Sequence, residues 1–445
     1  MNGSTAIAKL EAWPRGVLLG LIFGLGLAAR VLLILIMPQL GDPSGMDAQN
    51  YLQLARNLAE SGSFSMWSKP SAYVAPGYPF FLAALFKIGG ENLLAVKLIQ
   101  AVLGASTAVL VYFFALRFSS YQPSGRPAVA LLAALIMALH PELVGIAAFI
   151  YTEIIFIFLL TLTLLCFARA VASGKWSHFV QAGLLFGLTT LCRSTILYFP
   201  LFALGAVMLA ARRRLRPSGL WLRRWAFFIL GMMLMMAPWS ARNYYHFRIF
   251  LPVATGSGDV FWTGNYLEFD GEYRYQETQA KLRETAGDVD LIARDRILMQ
   301  DAWKKIWADP APHAWLFIRK IFRYWLHVYE DIPHGAARQP NWLVFGGLAA
   351  THYALLLLAG VGLYRCNRRE QLVKLSLLFV GYYTLIHAAT LAVARYRMPL
   401  LPLLSIAAAA GLVWLLEKRS RKESSIMFER SEPSRTELDL PKERR

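Results

Sequence analysis

The stretch GVLLGLIFGLGLAARVLLILIM, Gly16–Met37, decides the class of the fold. As a helix it would rise about 33 Å, enough to cross the hydrocarbon of a bilayer. Similar apolar blocks recur along all 445 residues. They give about ten candidate spans, at 16–37, 92–117, 128–147, 150–171, 178–196, 197–211, 223–243, 341–364, 372–393 and 398–416. The fifth and sixth are short and nearly continuous. Hydrophobic residues make up 56% of the chain, charged residues only 17%, and the mean hydropathy is +0.42. A soluble protein of this length would need a more polar surface. The reading is an all-α polytopic membrane protein.

The net charge of +18 would suggest nucleic acid for a soluble chain. In a membrane protein, Lys and Arg mark the cytoplasmic side, and no nucleic-acid partner is expected. The clusters at Lys9 and Arg15, Arg117 and Arg126, Arg169 and Lys175, Arg212–Arg216, Arg365–Lys374 and Lys418–Lys422 all fall on one side of the ten-span layout. That places both termini in the cytoplasm. Gly16–Met37 lacks a small-residue cleavage site and reads as a retained helix, with no cleavable signal expected. Cys166, Cys192 and Cys366 sit in or beside apolar blocks and are expected to be unpaired.

Residues 38–91 and 244–340 then face the outside, and 417–445 forms a mixed-charge tail expected to be disordered. Residues 1–416 would be one membrane domain. In the first outer segment, Gly45–Gly62 places Tyr51, Leu54, Ala55 and Leu58 at helical spacing, an amphipathic helix suited to the membrane surface. Asp47 opens it, either as an N-cap or as a catalytic carboxylate at the mouth of a cavity. Pro76, Gly77 and Pro79 then force a turn. In the second segment, Asp290–Ala308 and His313–Tyr329 read as helices separated at Pro310 and Pro312. The latter sets Trp315, Phe322, Trp325 and Tyr329 beside Arg319, Lys320 and Arg323, again suited to the interface. His246, His313, His327 and His334 are scattered without metal-ligand spacing, and the sequence supports no divalent metal site.

These motifs, taken in order, resemble family 39 glycosyltransferases, the relatives of protein O-mannosyltransferases and of aminoarabinose transferases. The resemblance runs from about residue 15 to 416. It rests on Asp47 with Tyr51, then Pro76-Gly77-Tyr78-Pro79, His140-Pro141-Glu142, Tyr151-Thr152-Glu153, Pro238-Trp239 with Arg242-Asn243, Gly264-Asn265, and Arg395-Tyr396-Arg397-Met398-Pro399 with Pro402. It implies the C-type (GT-C) membrane fold and transfer of a sugar from a polyprenyl-phosphate donor to a lipid, glycan or protein acceptor on the outer face. It also implies residence in a plasma membrane such as a bacterial inner membrane. The Glu-Lys pair that the aminoarabinose branch carries before its prolines is replaced here by Tyr73-Val74-Ala75.

The chemistry needs a base for the acceptor hydroxyl and cations for the departing phosphate. Asp47 is the candidate base. Arg395 and Arg397 lie on the side where topogenic positive charge is disfavoured, which makes them candidate phosphate ligands. Glu153 sits in apolar sequence near the outer end of its span and calls for a cavity or a partner. Arg193 could bind phosphate or sugar, or pair with Glu153. Arg242 ends a span and is either an interfacial terminus or a further substrate contact. The alternatives to an enzyme are a transporter or flippase of a lipid-linked sugar, or an assembly subunit on the same scaffold.

Overall fold

A computed structural model describes residues 14–41, 43, 45–66, 68–118, 126–211, 219–328, 342–366 and 370–431. The first described helix is α1 (Arg15–Ile36). Then come α2 (Met46–Ser61), a two-residue hairpin β1 (Ser65–Met66) and β2 (Lys69–Pro70), and α3 (Gly77–Gly89). Next are α4 (Leu93–Ala115), α5 (Arg126–Leu139), α6 (Pro141–Gly145), α7 (Glu153–Ser173) and α8 (Trp176–Cys192). They are followed by α9 (Phe199–Ala211) and the 29-residue α10 (Gly219–Phe247). The second large connection carries α11 (Ser257–Asn265), α12 (Tyr275–Ala286), α13 (Leu291–Ala308) and α14 (Pro310–Leu326). The bundle closes with α15 (Trp342–Arg365), α16 (Gln371–Ala389), a 3-10 turn (Ala394–Leu400) and α17 (Leu401–Ser431). The chain is a multi-pass membrane protein.

Seven of the described helices are long and apolar enough to span, or eight if α5 and α6 count as one. That pair bends by 49° at Pro141, where the missing N–H and the ring break the helical ladder. The count of about ten is reached only with α8 and α9, of 17 and 13 residues. Arg193 at the end of α8 touches Glu153 at the start of α7, so α8 returns over the full height of α7. α3 is apolar but has only 13 residues, about 20 Å of helix.

Close helix packing uses small residues, as it must where lipid is as apolar as Leu. A Cβ on Gly183 of α8 would lie 2.0 Å from the Phe228 carbonyl oxygen of α10, and one on Gly231 2.2 Å from that of Val180. Gly362 of α15 faces Gly411 of α17, and Arg365 stacks on Trp414 at the same stagger. The two helices therefore run parallel, with Leu401 level with His352. The first turns of α15 stand above the start of α17, and the end of α14 fits into that step: Trp325 and Leu326 carbonyls accept from His352 Nε2 (2.8 Å) and Tyr353 (2.7 Å). Arg30, fully buried in α1, donates to the Ala138 carbonyl of α5 at 2.8 Å.

Two expectations change. α17 continues helically to Ser431, because no Gly or Pro interrupts the chain between Leu412 and Glu432. The segment expected to be disordered thus begins as helix, and residues 432–445 lie outside the described residues. Lys320, read as part of a basic face suited to the interface, is fully buried. Lys9, Arg212–Arg216, Tyr329, His334 and Arg368–Arg369 also lie outside the described residues.

Candidate functional site

Four sequence-selected residues meet at one end of the bundle. The first turn of α2 supplies Asp47, the first residue of α7 is Glu153, Arg193 follows α8, and Arg395 stands in the 3-10 turn. Arg395 Nη2 donates to Asp47 Oδ2 at 2.6 Å, and its Nε is 3.9 Å from Glu153 Oε1. Arg193 Nη1 donates to the same Glu153 oxygen at 3.0 Å. Side-chain exposure rises along this string: 3% for Glu153, 13% for Arg193, 27% for Arg395 and 46% for Asp47. Glu153 forms the floor and Asp47 the mouth. Two cations and two anions leave the string neutral.

Asp47 is not an N-cap. Gly45 occupies that position, and the carboxylate points to Arg395 instead. Its place in the first turn still suits the positive end of the helix dipole. Aromatic rings hold the arginines. Arg395 lies 4.6 Å from the Tyr151 ring centre and 5.4 Å from that of Tyr396. Arg193 lies 4.5 Å from the Tyr396 ring on the same turn. Beneath them His387 stacks against Tyr324 and Tyr396. Such a cradle fixes guanidinium planes without cancelling their charge.

The other two selected residues lie elsewhere. Arg397 is fully buried. It donates to Glu142 at 3.0 Å and to the Tyr324 and His327 carbonyls, joining the α5–α6 break to the end of α14. Arg242 donates to the carbonyls of Ser71 (2.7 Å) and Phe64 (2.8 Å) and stacks on Trp239. It pins the loop after the hairpin to α10.

A second polar set beside the mouth has no counterpart among the residues singled out from sequence. Tyr73 donates to Asp259 Oδ2 at 3.2 Å, and Arg294 donates to the same oxygen at 2.8 Å. Burial raises the Tyr73 phenol, and the carboxylates of Asp259 and Asp47 raise it further, which places Asp47 in its electrostatic neighbourhood. Burial also raises Asp259 against the opposing pull of Arg294. The partners of Tyr73 come from α11 and α13, so no local pattern could have announced them. The Thr255 N–H, donating to the Ala72 carbonyl at 2.7 Å, locks the two outer segments together here. Among the described residues no group of three His, Cys, Asp or Glu could hold a metal ion.

Lys320 of α14 braces this end. Its Nζ donates to the carbonyls of Gly264 (2.7 Å) and Thr390 (2.8 Å), capping the end of α16 five residues before Arg395. Burial, helped by Arg323, pushes its ammonium down from 10.5 to about 7. The unfolded chain therefore binds the proton more tightly. The stability this group contributes is full above pH 10.5 and is lost as pH falls to about 7. The thermal midpoint of the wild type should climb between pH 7 and 9 relative to that of Lys320→Met. Parallel curves for the two proteins would refute this.

Comparison with known proteins bears on the fold. The sequence profile of the dolichyl-phosphate-mannose-protein mannosyltransferase family matches residues 69–239, a stretch that holds Glu153 and Arg193. Among solved structures, the archaeal oligosaccharyltransferase AglB from Archaeoglobus fulgidus, in complex with an inhibitory peptide and a dolichol-phosphate, superposes with a TM-score of 0.53 at 13% identity. That match covers 95% of this chain and 52% of that one. The apo form of the Archaeoglobus fulgidus enzyme gives 0.53 and 13%, over 96% of this chain and 53% of that one. ArnT from Cupriavidus metallidurans bound to undecaprenyl phosphate gives 0.43 and 14%, over 94% and 81%. No curated protein matches in sequence. The chain spans about half the length of the oligosaccharyltransferase chains it matches. The fold is the C-type membrane glycosyltransferase fold expected from the sequence.

Proposed function

We propose that the protein is a membrane glycosyltransferase that moves a sugar from a polyprenyl-phosphate donor to a hydroxyl-bearing lipid, glycan or protein acceptor. The reaction takes place at the outer face of a plasma membrane, such as a bacterial inner membrane, with both termini of the chain in the cytoplasm. The observation that carries this reading is the string Asp47–Arg395–Glu153–Arg193, gathered from four distant segments at one end of the bundle.

The geometry suggests how it works. In the resting site Arg395 holds Asp47. A donor phosphate offers the arginine a more highly charged partner and two oxygens to grip. Arg395 then turns to the phosphate, with Arg193 behind it, and Asp47 is released. The freed carboxylate takes the proton of the acceptor hydroxyl as its oxygen bonds to the sugar carbon. The bond from that carbon to the phosphate oxygen breaks, and the phosphate leaves with the electron pair, its charge met by the two arginines. Tyr73, beside Asp47, is positioned to orient the acceptor. Arg242 and Arg397 hold the frame rather than the substrate. The concentration of these charges at one end favours one-sided chemistry over a transport path, which would place ionisable groups near the midplane.

The swap can be read directly. A water-soluble carbodiimide with a labelled amine marks exposed carboxylates, and peptide mass spectrometry reports on Asp47. Labelling should rise several-fold when undecaprenyl phosphate is added to the purified protein. Bound carrier with unchanged labelling would sink the swap. No binding of the carrier would sink the reading itself.

A further inference from the structure

A second crevice lies toward the opposite end of the bundle. It opens between α15, α16 and α17 under the last turn of α4, a cavity of about 60 Å³ that widens to about 470 Å³ when its open mouth is counted. Phe118, Leu363, Val373, Val380, Leu404 and Ala407 line it, and Ser376 is its one polar wall residue. From Val373 to Val380 it follows two turns of α16, about 10 Å, much of the depth of one leaflet. Leu377 on its rim is 39% exposed, so the crevice opens sideways to lipid.

Its lower mouth is basic. Arg117 precedes Phe118, Lys374 follows Val373, and Arg365 lies half a turn beyond Leu363; all three are exposed. Arg365 and Lys418 stack on the Trp414 ring at 5.1 and 5.2 Å, a tryptophan placed as at a membrane–water boundary. Glu370 and Glu417 also stand at this end. An apolar slot, open to lipid and headed by cations, matches one ligand chemistry on both counts.

We propose that this crevice holds an acyl chain of an anionic phospholipid from the leaflet opposite the candidate site, with the headgroup phosphate met by Arg117, Arg365, Lys374 and Lys418. The bound chain fills the gap between α16 and α17, the two helices that flank the turn bearing Arg395. The site does not depend on the proposed reaction.

The test uses delipidated protein in detergent, titrated with dioleoylphosphatidylglycerol or dioleoylphosphatidylcholine and followed by native mass spectrometry and thermal shift. The anionic lipid should bind about a hundredfold more tightly, with the preference falling about fivefold for each base neutralised. Arg117→Gln, Arg365→Gln and Lys374→Gln combined should bind the two lipids alike. Ser376→Phe, which fills the slot, should weaken both. Equal binding of the two lipids to the wild type would overturn the proposal. So would a charge preference that survives the triple change, or full binding by Ser376→Phe.

Discussion

Asp47→Asn should lower sugar transfer by about a hundred- to ten-thousandfold while leaving the polyprenyl phosphate bound. The amide keeps the size of the side chain and can still meet Arg395 through its oxygen, so the fold has little reason to change. What it cannot do is take a proton. Carrier affinity should hold or rise, since Arg395 no longer faces a full negative charge 2.6 Å away. The measurement is release of labelled hexose from a polyprenyl phosphate to a cell-envelope extract, alongside carrier binding. Undiminished transfer would remove Asp47 as the base. Transfer and carrier binding lost together would make Asp47 a structural residue instead. Asp47→Glu should retain part of the activity.

Arg397→Ala should have the largest effect on folding. Arg397 is 1% exposed and Glu142 10% exposed, so the substitution leaves a buried carboxylate, the buried Tyr324 carbonyl and the part-buried His327 carbonyl without their donor. Breaking such a pair from one side costs about 3–5 kcal/mol. The variant should show a sharply lower thermal midpoint in detergent and a poor yield of monodisperse protein. Removing both charges, with Arg397→Met and Glu142→Leu, should recover part of the loss. A stable Arg397→Ala protein with transfer abolished would reverse the assignment and make Arg397 a substrate ligand.

The two predictions turn on Arg395, the partner of Asp47, and on Arg397, arginines two positions apart that the sequence presented as equivalent. Both precede an apolar helix on the side where positive charge is disfavoured, and both could meet a phosphate. The turn separates them. In a 3-10 helix each residue advances about 120°, so neighbours two apart point in different directions. Arg395 reaches out to the half-exposed Asp47, and Arg397 is buried in the interior. A helical or extended segment would have divided them differently, and nothing in RYRMP announces which of these forms. Arg242 is held by contacts of another kind. Its partners are the carbonyls of Phe64 and Ser71, which every residue carries and no sequence pattern marks. The spans were legible because twenty apolar residues are needed to cross hydrocarbon. The amphipathic helices were legible through their period: α13 begins and ends within a residue of the expected 290–308. Lys320 was not, since a lysine on an amphipathic stretch points outward unless backbone acceptors from other segments wait for it. The Tyr73–Asp259–Arg294 set lay beyond reach for the same reason, with about 190 residues between its first two members.

The bond between Arg395 and Asp47 has a consequence for the end of the catalytic cycle. In the proposed reaction the spent carrier remains gripped by Arg395 while Asp47 holds the proton it has just taken. Once that proton passes to water, Asp47 regains its charge and competes for the arginine it holds at 2.6 Å in the resting site. An anion tethered at that distance competes at a high effective concentration. The carboxylate that accepts the proton would then also expel the leaving group, tying product release to proton release and returning the empty site to neutrality.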